Sequence, residues 1–257
     1  MLSLQLRLLA LAIAAWTRLP AAASARQGDA AEARARSVRY LPLAGAAVAL
    51  PAAVAYAISG LWMTHEVSLL VAFGVLALLT GVLHERELAA WCEDLAARAR
   101  TDGSFAAAGA TGLMLVVLGR FETLSSIDPS WVAVTLVTAA VFSRGCAAFV
   151  LGGSLAGAGG GAPGARAQGP DGAIALALGL GPVIAAALWT GNLEGFGVAA
   201  GMALAAALLV RRTLAPRRLP RDERALGAVQ QLAELGFHLG ILATLSIADE
   251  TLADPAS

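Results

Sequence analysis

The sequence predicts an all-α fold, a polytopic membrane helix bundle of about seven transmembrane helices with an N-terminal amphipathic or re-entrant segment. Composition is the first reason, because 58% of the 257 residues are hydrophobic and 14% are charged. The mean hydropathy of +0.72 is also above that of ordinary soluble domains. The second reason is a series of long apolar runs, and the third is an uneven distribution of arginine between the segments that join them.

Seven apolar runs form the predicted spans, because each approaches the roughly 20 residues that a helix needs to cross about 30 Å of hydrocarbon. They cover residues 41–62, 66–83, 104–121, 131–152, 172–191, 195–210 and 226–248. The whole chain, residues 1–257, is predicted to be a single integral-membrane domain. Its non-spanning segments are an N-terminal cytoplasmic-face segment (1–40), a charged helix or loop (84–104), a glycine-rich loop (152–171) and a basic loop (211–225).

Arginine distinguishes the two ends of this predicted bundle. All four non-spanning segments contain arginine, whereas the alternate loops near 63–65, 122–130 and 192–194 contain none. Cytoplasmic loops retain an excess of Lys and Arg. The arginine-containing segments are therefore predicted to face the cytoplasm, and the protein to be a multi-pass protein of the bacterial inner membrane.

The first 25 residues fit two interpretations. An apolar stretch followed by small residues is typical of a secretory signal peptide, which is cleaved. The arginines that follow residue 25 would hinder translocation, and this favours a segment packed at the cytoplasmic face. Cleavage of residues 1–25 as a signal peptide is the alternative.

A densely charged stretch with five carboxylates lies between His84 and Gly103. Glu87 and Asp94 are seven residues apart in this stretch, so they share one face of a continuous helix. Stacked carboxylates just outside a bilayer could hold Mg²⁺, a cation that takes oxygen ligands. The alternative is a solvated helix in which Asp94 pairs with Arg98.

Two ionisable residues fall at membrane depth, Arg144 in the fourth apolar run and Glu234 in the last. Such a side chain costs several kcal/mol unless it finds a partner or a polar cavity, so both are functional candidates. Arg144, which follows Ser143, could reach a phosphate, and His238 could pair with Glu234. A small-solute transporter is an alternative function for such residues, but the two halves of the chain do not resemble each other.

Several short motifs occur in a characteristic order. They are Thr17-Arg18-Leu19-Pro20, Arg36 with Leu41-Pro42-Leu43-Ala44-Gly45, Leu78–His84, Ser143-Arg144-Gly145, and Leu226-Gly227-Ala228 with Glu234. Their order and spacing resemble those of the cobalamin synthase family, the adenosylcobinamide-GDP ribazoletransferases. The resemblance runs nearly from end to end of the chain.

The acidic motif of that family is H-x-D-G-x-x-D-x-x-D-G, and it aligns with the stretch that begins at His84. Its three aspartates fall at Arg86, Ala90 and Glu93, while Glu87 and Asp94 occupy the glycine positions. The aspartate of the next motif is kept as Asp102. Ahead of the last helix the nearest aspartate is Asp222, two residues before the family position.

The resemblance implies a membrane-bound, Mg²⁺-dependent transferase that joins adenosylcobinamide-GDP to α-ribazole or its phosphate and releases GMP. It implies that Glu93 and Asp94 are catalytic. The implied metal ligands are Glu87, Glu93, Asp94 and Asp102, and the implied substrate contacts are Arg36, Ser143, Arg144, Asp222 and Glu234. The expected partners are these two small molecules and membrane lipid, without nucleic acid, and an oligomer is compatible with the sequence. The alternative is a homologue that has lost activity and serves as a membrane binding or assembly component.

Overall fold

The computed structural model describes residues 2–19, 31–99, 106–151, 169–214 and 223–253, and these residues form helices without any strand. The helices are α1 (Leu2–Trp16), α2 (Ala31–Ser37), α3 (Leu41–Ser59), α4 (His65–Thr80), α5 (Leu83–Ala99), α6 (Ala106–Ser125), α7 (Pro129–Leu151), α8 (Gly169–Thr190), α9 (Leu193–Leu214) and α10 (Glu223–Ala253). A short 3-10 turn, Val38–Tyr40, leads into α3. The predicted all-α membrane bundle is confirmed.

The structure has fewer clear membrane spans than the seven apolar runs suggest. In the described residues, five helices are long and apolar enough to cross a membrane, and the bent pair α4–α5 makes a sixth if it is one span. Helix α10, which contains the predicted run 226–248, is not among them. The first half of α10 packs against other helices. It carries several buried polar side chains, and these make the helix less apolar.

The apolar run 66–83 is interrupted by a bend of 86° between α4 and α5. Gly81 ends α4 in the left-handed region with φ 67°, and Val82 follows with φ 58°. A glycine adopts this conformation without steric cost, whereas a β-branched residue rarely does. The bend turns α5 away from the direction of α4.

Helix α1 packs on the bundle beside this bend. Leu8, Leu11 and Ala12 are buried, and α1 contacts α2 and α3. The Arg18 backbone N–H donates to the Leu79 carbonyl at 2.7 Å, and a Cβ at Gly81 would collide with the Arg18 side chain. A helix of 15 residues is short for a span, in agreement with the predicted amphipathic or re-entrant segment.

Helix α7 is the most buried of the candidate spans and contacts α3, α8 and α10. Phe142 on α7, Phe196 on α9 and Phe237 on α10 form a chain of aromatic contacts, each pair with ring centroids 6.1 Å apart. Large aliphatic side chains on α6, α8 and α9, such as Leu188 and Leu209, point outward instead. The core therefore lies around α7, and the outer helices present the apolar surface that lipid requires.

The loops that lack arginine lie at one end of the bundle. His65 Nδ1 lies 2.7 Å from the Tyr56 hydroxyl, and its Nε2 lies 3.1 Å from the Leu124 carbonyl oxygen, so the α3–α4 and α6–α7 turns are close together. At this end, hydrogen bonds from the side chain and backbone of Ser130 hold the pKa of Asp128 below its ordinary value. At the opposite end, Arg39 and Asp171 form an ion pair. Most of the predicted glycine-rich and basic loops lies outside the described residues.

Candidate functional site

Buried polar side chains from four helices meet at one level of the bundle. We call this group the polar cluster: His84, Glu85 and Glu87 on α5, Arg120 on α6, Arg144 on α7, and Gln230, Gln231, Glu234 and His238 on α10. All except Glu85, which is partly exposed, are at most 6% exposed. Ionisable groups at such depth mark functional sites by default, because their burial is costly without partners.

Arg120 is the most fully engaged residue of the polar cluster. Its Nη2 donates to Glu234 Oε1 and its Nη1 donates to Gln231 Oε1, both at 2.7 Å. The Gln231 amide in turn donates to Glu85 Oε1 at 3.1 Å. The guanidinium carbon also lies 5.2 Å from the centre of the Phe73 ring, which adds a cation–π contact. One arginine therefore connects α4, α6, α10 and, through Gln231, α5.

Arg144 is buried as deeply but has fewer partners. Its Nη1 donates to the Ala140 carbonyl at 2.8 Å, one turn back on α7. In the part of the chain that the structure describes, it forms no ion pair within 4.0 Å, although it interacts electrostatically with Glu234, Arg120 and Glu85. A guanidinium group has five N–H donors, so Arg144 retains capacity to bind an anion.

Gly45 of α3 makes the close approach of Arg144 possible. A Cβ at this position would lie 2.7 Å from the Ala140 carbonyl oxygen and 2.7 Å from Arg144 Cδ. Ser143, also buried, donates its hydroxyl to the same Ala140 carbonyl at 3.3 Å. The Ser-Arg-Gly motif on α7 and the Pro-Leu-x-Gly motif on α3 therefore meet around Arg144.

His84 lies at the start of α5, where the bend brings it against α1. The Trp16 ring stacks on the imidazole, with ring centroids 6.4 Å apart and planes 17° apart. His84 Nδ1 lies 3.3 Å from Glu87 Oε2, and the ring interacts electrostatically with Arg144 and Arg120. The ring is thus fixed on one face and at one edge.

Several buried polar atoms of the cluster have no hydrogen-bond partner among the described residues. They are His84 Nε2, Glu85 Oε2, Arg120 Nε, Gln230 Oε1 and both ring nitrogens of His238. Buried polar groups are normally satisfied by protein or ordered water. Their concentration in one place indicates a site that takes up a polar ligand or water.

The structure brings together some of the predicted site residues. Ser143, Arg144, Glu234 and Glu87 lie in or beside the polar cluster, whereas Arg36 is partly buried on α2 and no hydrogen bond or ion pair within the described residues joins it to the cluster. Glu234 pairs with Arg120, so the alternative pairing with His238 is wrong. Asp102 and Asp222 lie outside the described residues.

The carboxylates of α5 point in different directions. Glu87 contacts the position of Gly227 on α10, while Glu93 Oε1 would lie 2.5 Å from a Cβ at Gly109 on α6. Asp94 is partly buried on the same helix. Among the described residues, no three His, Cys, Asp or Glu side chains are grouped in a way that could hold a metal ion. The predicted metal ligands and catalytic residues stay predictions.

Arg120 and Glu85 are missing from the predicted site residues. Arg120 lies inside the predicted span 104–121, and the criterion that identified Arg144 and Glu234 applies to it equally. Glu85 gave a weaker signal, because it is one of five carboxylates in the charged stretch and no spacing rule distinguishes it.

The fold and the polar cluster define a class, a polytopic helical membrane protein with a buried charged site enclosed by its helices. The comparisons with known proteins identify the family. The chain belongs to the cobalamin-5-phosphate synthase family, whose model matches residues 8–242. It is 30% identical over 243 residues to the adenosylcobinamide-GDP ribazoletransferase of Azorhizobium caulinodans, across 88% of this chain and 92% of that protein. No solved structure matches the chain.

Proposed function

We propose that this protein is a membrane-bound transferase of the last steps of cobalamin biosynthesis. It joins adenosylcobinamide-GDP to α-ribazole or α-ribazole phosphate, giving adenosylcobalamin or its phosphate and GMP. The family match and the name of the similar Azorhizobium protein support the reaction class. The single structural observation that carries the proposal is Arg144, a buried guanidinium group with one backbone hydrogen bond.

The reaction forms a new phosphoester bond and breaks the phosphoanhydride bond of the diphosphate. A hydroxyl oxygen of α-ribazole forms a bond to the cobinamide-side phosphorus and loses its proton. The bond from that phosphorus to the bridging oxygen breaks, and GMP leaves with that oxygen. Arg144 provides N–H donors for the diphosphate oxygens, where buried charge is most effective. Arg120 holds Glu234 and Gln231 in place beside it.

We also propose that the site binds Mg²⁺, because the charge balance of the polar cluster favours a bound cation. The three carboxylates Glu85, Glu87 and Glu234 outnumber the two buried guanidinium groups of the polar cluster, so a diphosphate requires further positive charge there. Mg²⁺ usually binds one or two carboxylates together with substrate phosphates. Glu85 Oε2, buried without a partner, is a suitable oxygen. Glu87, Glu93, Asp94 and Asp102 remain proposed ligands, and Glu93 and Asp94 remain the proposed catalytic carboxylates. When bound, the ion would neutralise the diphosphate and orient it.

We also propose in which membrane the protein lies and which of its ends faces the cytoplasm. The protein lies in the bacterial inner membrane among lipid, and the arginine-rich end, from which α5 emerges, faces the cytoplasm. The arginine distribution between alternate loops supports this orientation. Both substrates would then reach the polar cluster from the cytoplasm.

The experiment is a direct assay. Purified protein in detergent is incubated with adenosylcobinamide-GDP, α-ribazole and Mg²⁺, and cobalamin and GMP are measured, with the Azorhizobium protein run in parallel. Equimolar formation of both products supports the transferase. Absence of both products while the parallel enzyme is active would reject it, and tight binding of the corrinoid nucleotide without turnover would identify a binding component instead. Glu93→Ala is expected to abolish turnover, and unchanged turnover would show that Glu93 is not a ligand.

A further inference from the structure

A chain of hydrogen bonds runs through the polar cluster from α6 through α10 to α5. Arg120 Nη1 donates to Gln231 Oε1 at 2.7 Å, and Gln231 Nε2 donates to Glu85 Oε1 at 3.1 Å. Gln231 is 2% exposed, and its two partners are 111 and 146 positions away in the sequence. The Gln231 amide is therefore buried in the bundle and joins side chains of two other helices.

The two partners determine which way round the Gln231 amide lies. A guanidinium group only donates hydrogen bonds, so the amide oxygen must face Arg120. The amide NH₂ group then faces Glu85, where a carboxyl oxygen accepts from it. Arg120 is itself held by the ion pair with Glu234 and by its position over the Phe73 ring. Gln231 therefore presents its N–H donor to Glu85 from a fixed support.

The hydrogen bond from Gln231 engages one oxygen of Glu85 and leaves the other available. Oε1 accepts from Gln231, whereas Oε2 is buried and has no hydrogen-bond partner among the described residues. A buried carboxylate oxygen requires a donor or a cation. Mg²⁺ is bound by one or two carboxylates when water and substrate phosphates complete its ligands. One oxygen of Glu85, held in place, is therefore a suitable protein ligand for a cation that arrives with a diphosphate.

We propose that Gln231 is a positioning residue, which holds Glu85 Oε1 so that Oε2 can bind the Mg²⁺ ion that accompanies the diphosphate of adenosylcobinamide-GDP. This inference rests on the proposed transferase function. Hydrogen-bond partners of metal-binding side chains keep those side chains oriented, and loss of such a partner typically lowers metal affinity about 10- to 100-fold. Arg120 then supports the cation site through Gln231, in addition to its ion pair with Glu234.

The test measures how Mg²⁺ tightens nucleotide binding, without turnover. Equilibrium dialysis of adenosylcobinamide-GDP with the detergent-solubilised protein, in the absence of α-ribazole, gives Kd in EDTA and at a series of Mg²⁺ concentrations. Gln231→Met keeps the length of the side chain but removes both hydrogen bonds. It is expected to raise the Mg²⁺ concentration at half-maximal effect about tenfold or more, while Kd in EDTA changes less than about twofold. A purely structural role of Gln231 would weaken binding equally with and without Mg²⁺, and this result would overturn the inference.

Glu85→Gln tests whether Gln231 acts through Glu85. This variant keeps an oxygen that accepts from Gln231 but removes the negative charge, so it should raise the Mg²⁺ midpoint at least as much as Gln231→Met. In the double variant Glu85→Gln/Gln231→Met, the midpoint should lie within about twofold of that of Glu85→Gln alone, because both changes affect one contact. If the two shifts multiply, Gln231 does not act through Glu85 and the inference is wrong.

The matched control is Thr135→Val on α7. Thr135 is buried and its hydroxyl has no hydrogen-bond partner among the described residues, so this variant also replaces a buried polar group with an apolar one. It should leave the Mg²⁺ midpoint unchanged. If Gln231→Met does not fold, Gln231→Asn provides the test, because its shorter side chain keeps the amide but cannot reach both partners. An unchanged midpoint in Gln231→Asn would then overturn the inference.

The outcomes distinguish this inference from the transferase proposal. If the wild type forms products and Mg²⁺ tightens nucleotide binding equally in the wild type and the Gln231 variants, the inference is wrong and the transferase stands. If Mg²⁺ tightens binding in a Gln231-dependent way but no products form with α-ribazole, the inference stands and the transferase is rejected. If Mg²⁺ does not tighten nucleotide binding in the wild type, the inference is rejected whether or not products form.

Discussion

Two arginines buried at the same depth have different surroundings, and the difference assigns their roles. Arg120 donates to a carboxylate and an amide and covers an aromatic ring, so its charge is compensated inside the protein. Arg144 donates to one backbone carbonyl of its own helix. A compensated arginine stabilises the fold, whereas an arginine with spare donors is suited to bind an anion.

Replacing Arg120 with Met should lower stability, because Glu234 would remain buried without its partner. Removing one member of a buried ion pair costs about 3–5 kcal/mol. Unfolding of the detergent-solubilised protein by heat or denaturant measures the loss of stability. The double variant Arg120→Met/Glu234→Leu removes both charges and should recover most of the stability. If Arg120→Met is as stable as the wild type, the ion pair is not structural.

Replacing Arg144 with Lys should leave the fold intact and weaken substrate binding. Lysine keeps the charge but loses the planar fork that binds phosphate oxygens in pairs. We expect the Kd for adenosylcobinamide-GDP to rise about tenfold or more, which corresponds to roughly 1.4 kcal/mol, with unchanged thermal unfolding. Arg212→Lys, at an exposed position on α9, is the matched control. An unchanged Kd for Arg144→Lys would remove Arg144 from the site.

The sequence predicted the individual residues better than their partners. Arg144 and Glu234 are recognisable because charge is rare in apolar runs. The pairing of Arg120 with Glu234 joins residues 114 positions apart, and no local spacing rule connects them. Glu93 lies six residues after Glu87, and this rotates it about 120° around the helix, so the two carboxylates face α6 and α10 respectively. Periodicity gives this rotation but not which neighbouring helix lies on each side.

At the scale of helices, glycines of the recognised motifs mark the closest contacts. A Cβ at Gly145 would lie 3.0 Å from the Ala175 carbonyl oxygen on α8, and one at Gly227 would lie 2.9 Å from the His84 carbonyl oxygen and collide with Glu87. Gly45 has the same role between α3 and α7. Small residues allow helix backbones to approach in a membrane, so these motifs position α5, α7 and α10 around the polar cluster.

Gly227→Ala should therefore disturb the site, whereas Gly197→Ala should not. The added methyl group at position 227 would displace Glu87, and overpacking of this kind costs about 1–3 kcal/mol. We expect lower stability and a loss of transferase activity. Gly197 has open space around its Cβ position, so Gly197→Ala is a matched control that should be neutral or slightly stabilising, by up to about 1 kcal/mol. Equal effects of both substitutions would show that the α5–α10 contact is not close.

Hydropathy predicted where most helices lie but not the break after α4. After Glu66, the run 66–83 contains no charged residue, and an average over side chains does not detect the positive φ of Gly81 and Val82. In the last helix, α10, hydropathy is low although the helix lies inside the bundle. Its polar residues are needed in the bundle interior, so α10 is less apolar than a lipid-facing helix, although it is central to the site.

At the scale of the whole molecule, the two ends are chemically different. The described turns at one end are short and contain no arginine, while the segments predicted to lie at the other end contain most of the arginine in the chain. Helix α5 begins at the arginine-rich end, where the polar cluster connects to the charged sequence. A substrate with two phosphates would be attracted to this end, because its positive charge favours anions.

The orientation of the ends can be tested by cysteine labelling. In a chain with Cys92 and Cys146 replaced by Ala, a single cysteine is introduced at Ser126 or at Arg86, both exposed and at opposite ends of the bundle. In intact spheroplasts, a membrane-impermeant maleimide should label Ser126→Cys, because its turn lacks arginine and is expected outside. Arg86→Cys should react only after the membrane is opened, and the unsubstituted cysteine-free chain should not react at all. Labelling of Arg86→Cys in intact spheroplasts would place α5 and the polar cluster on the outer side, where nucleotide substrates made in the cytoplasm could not reach them.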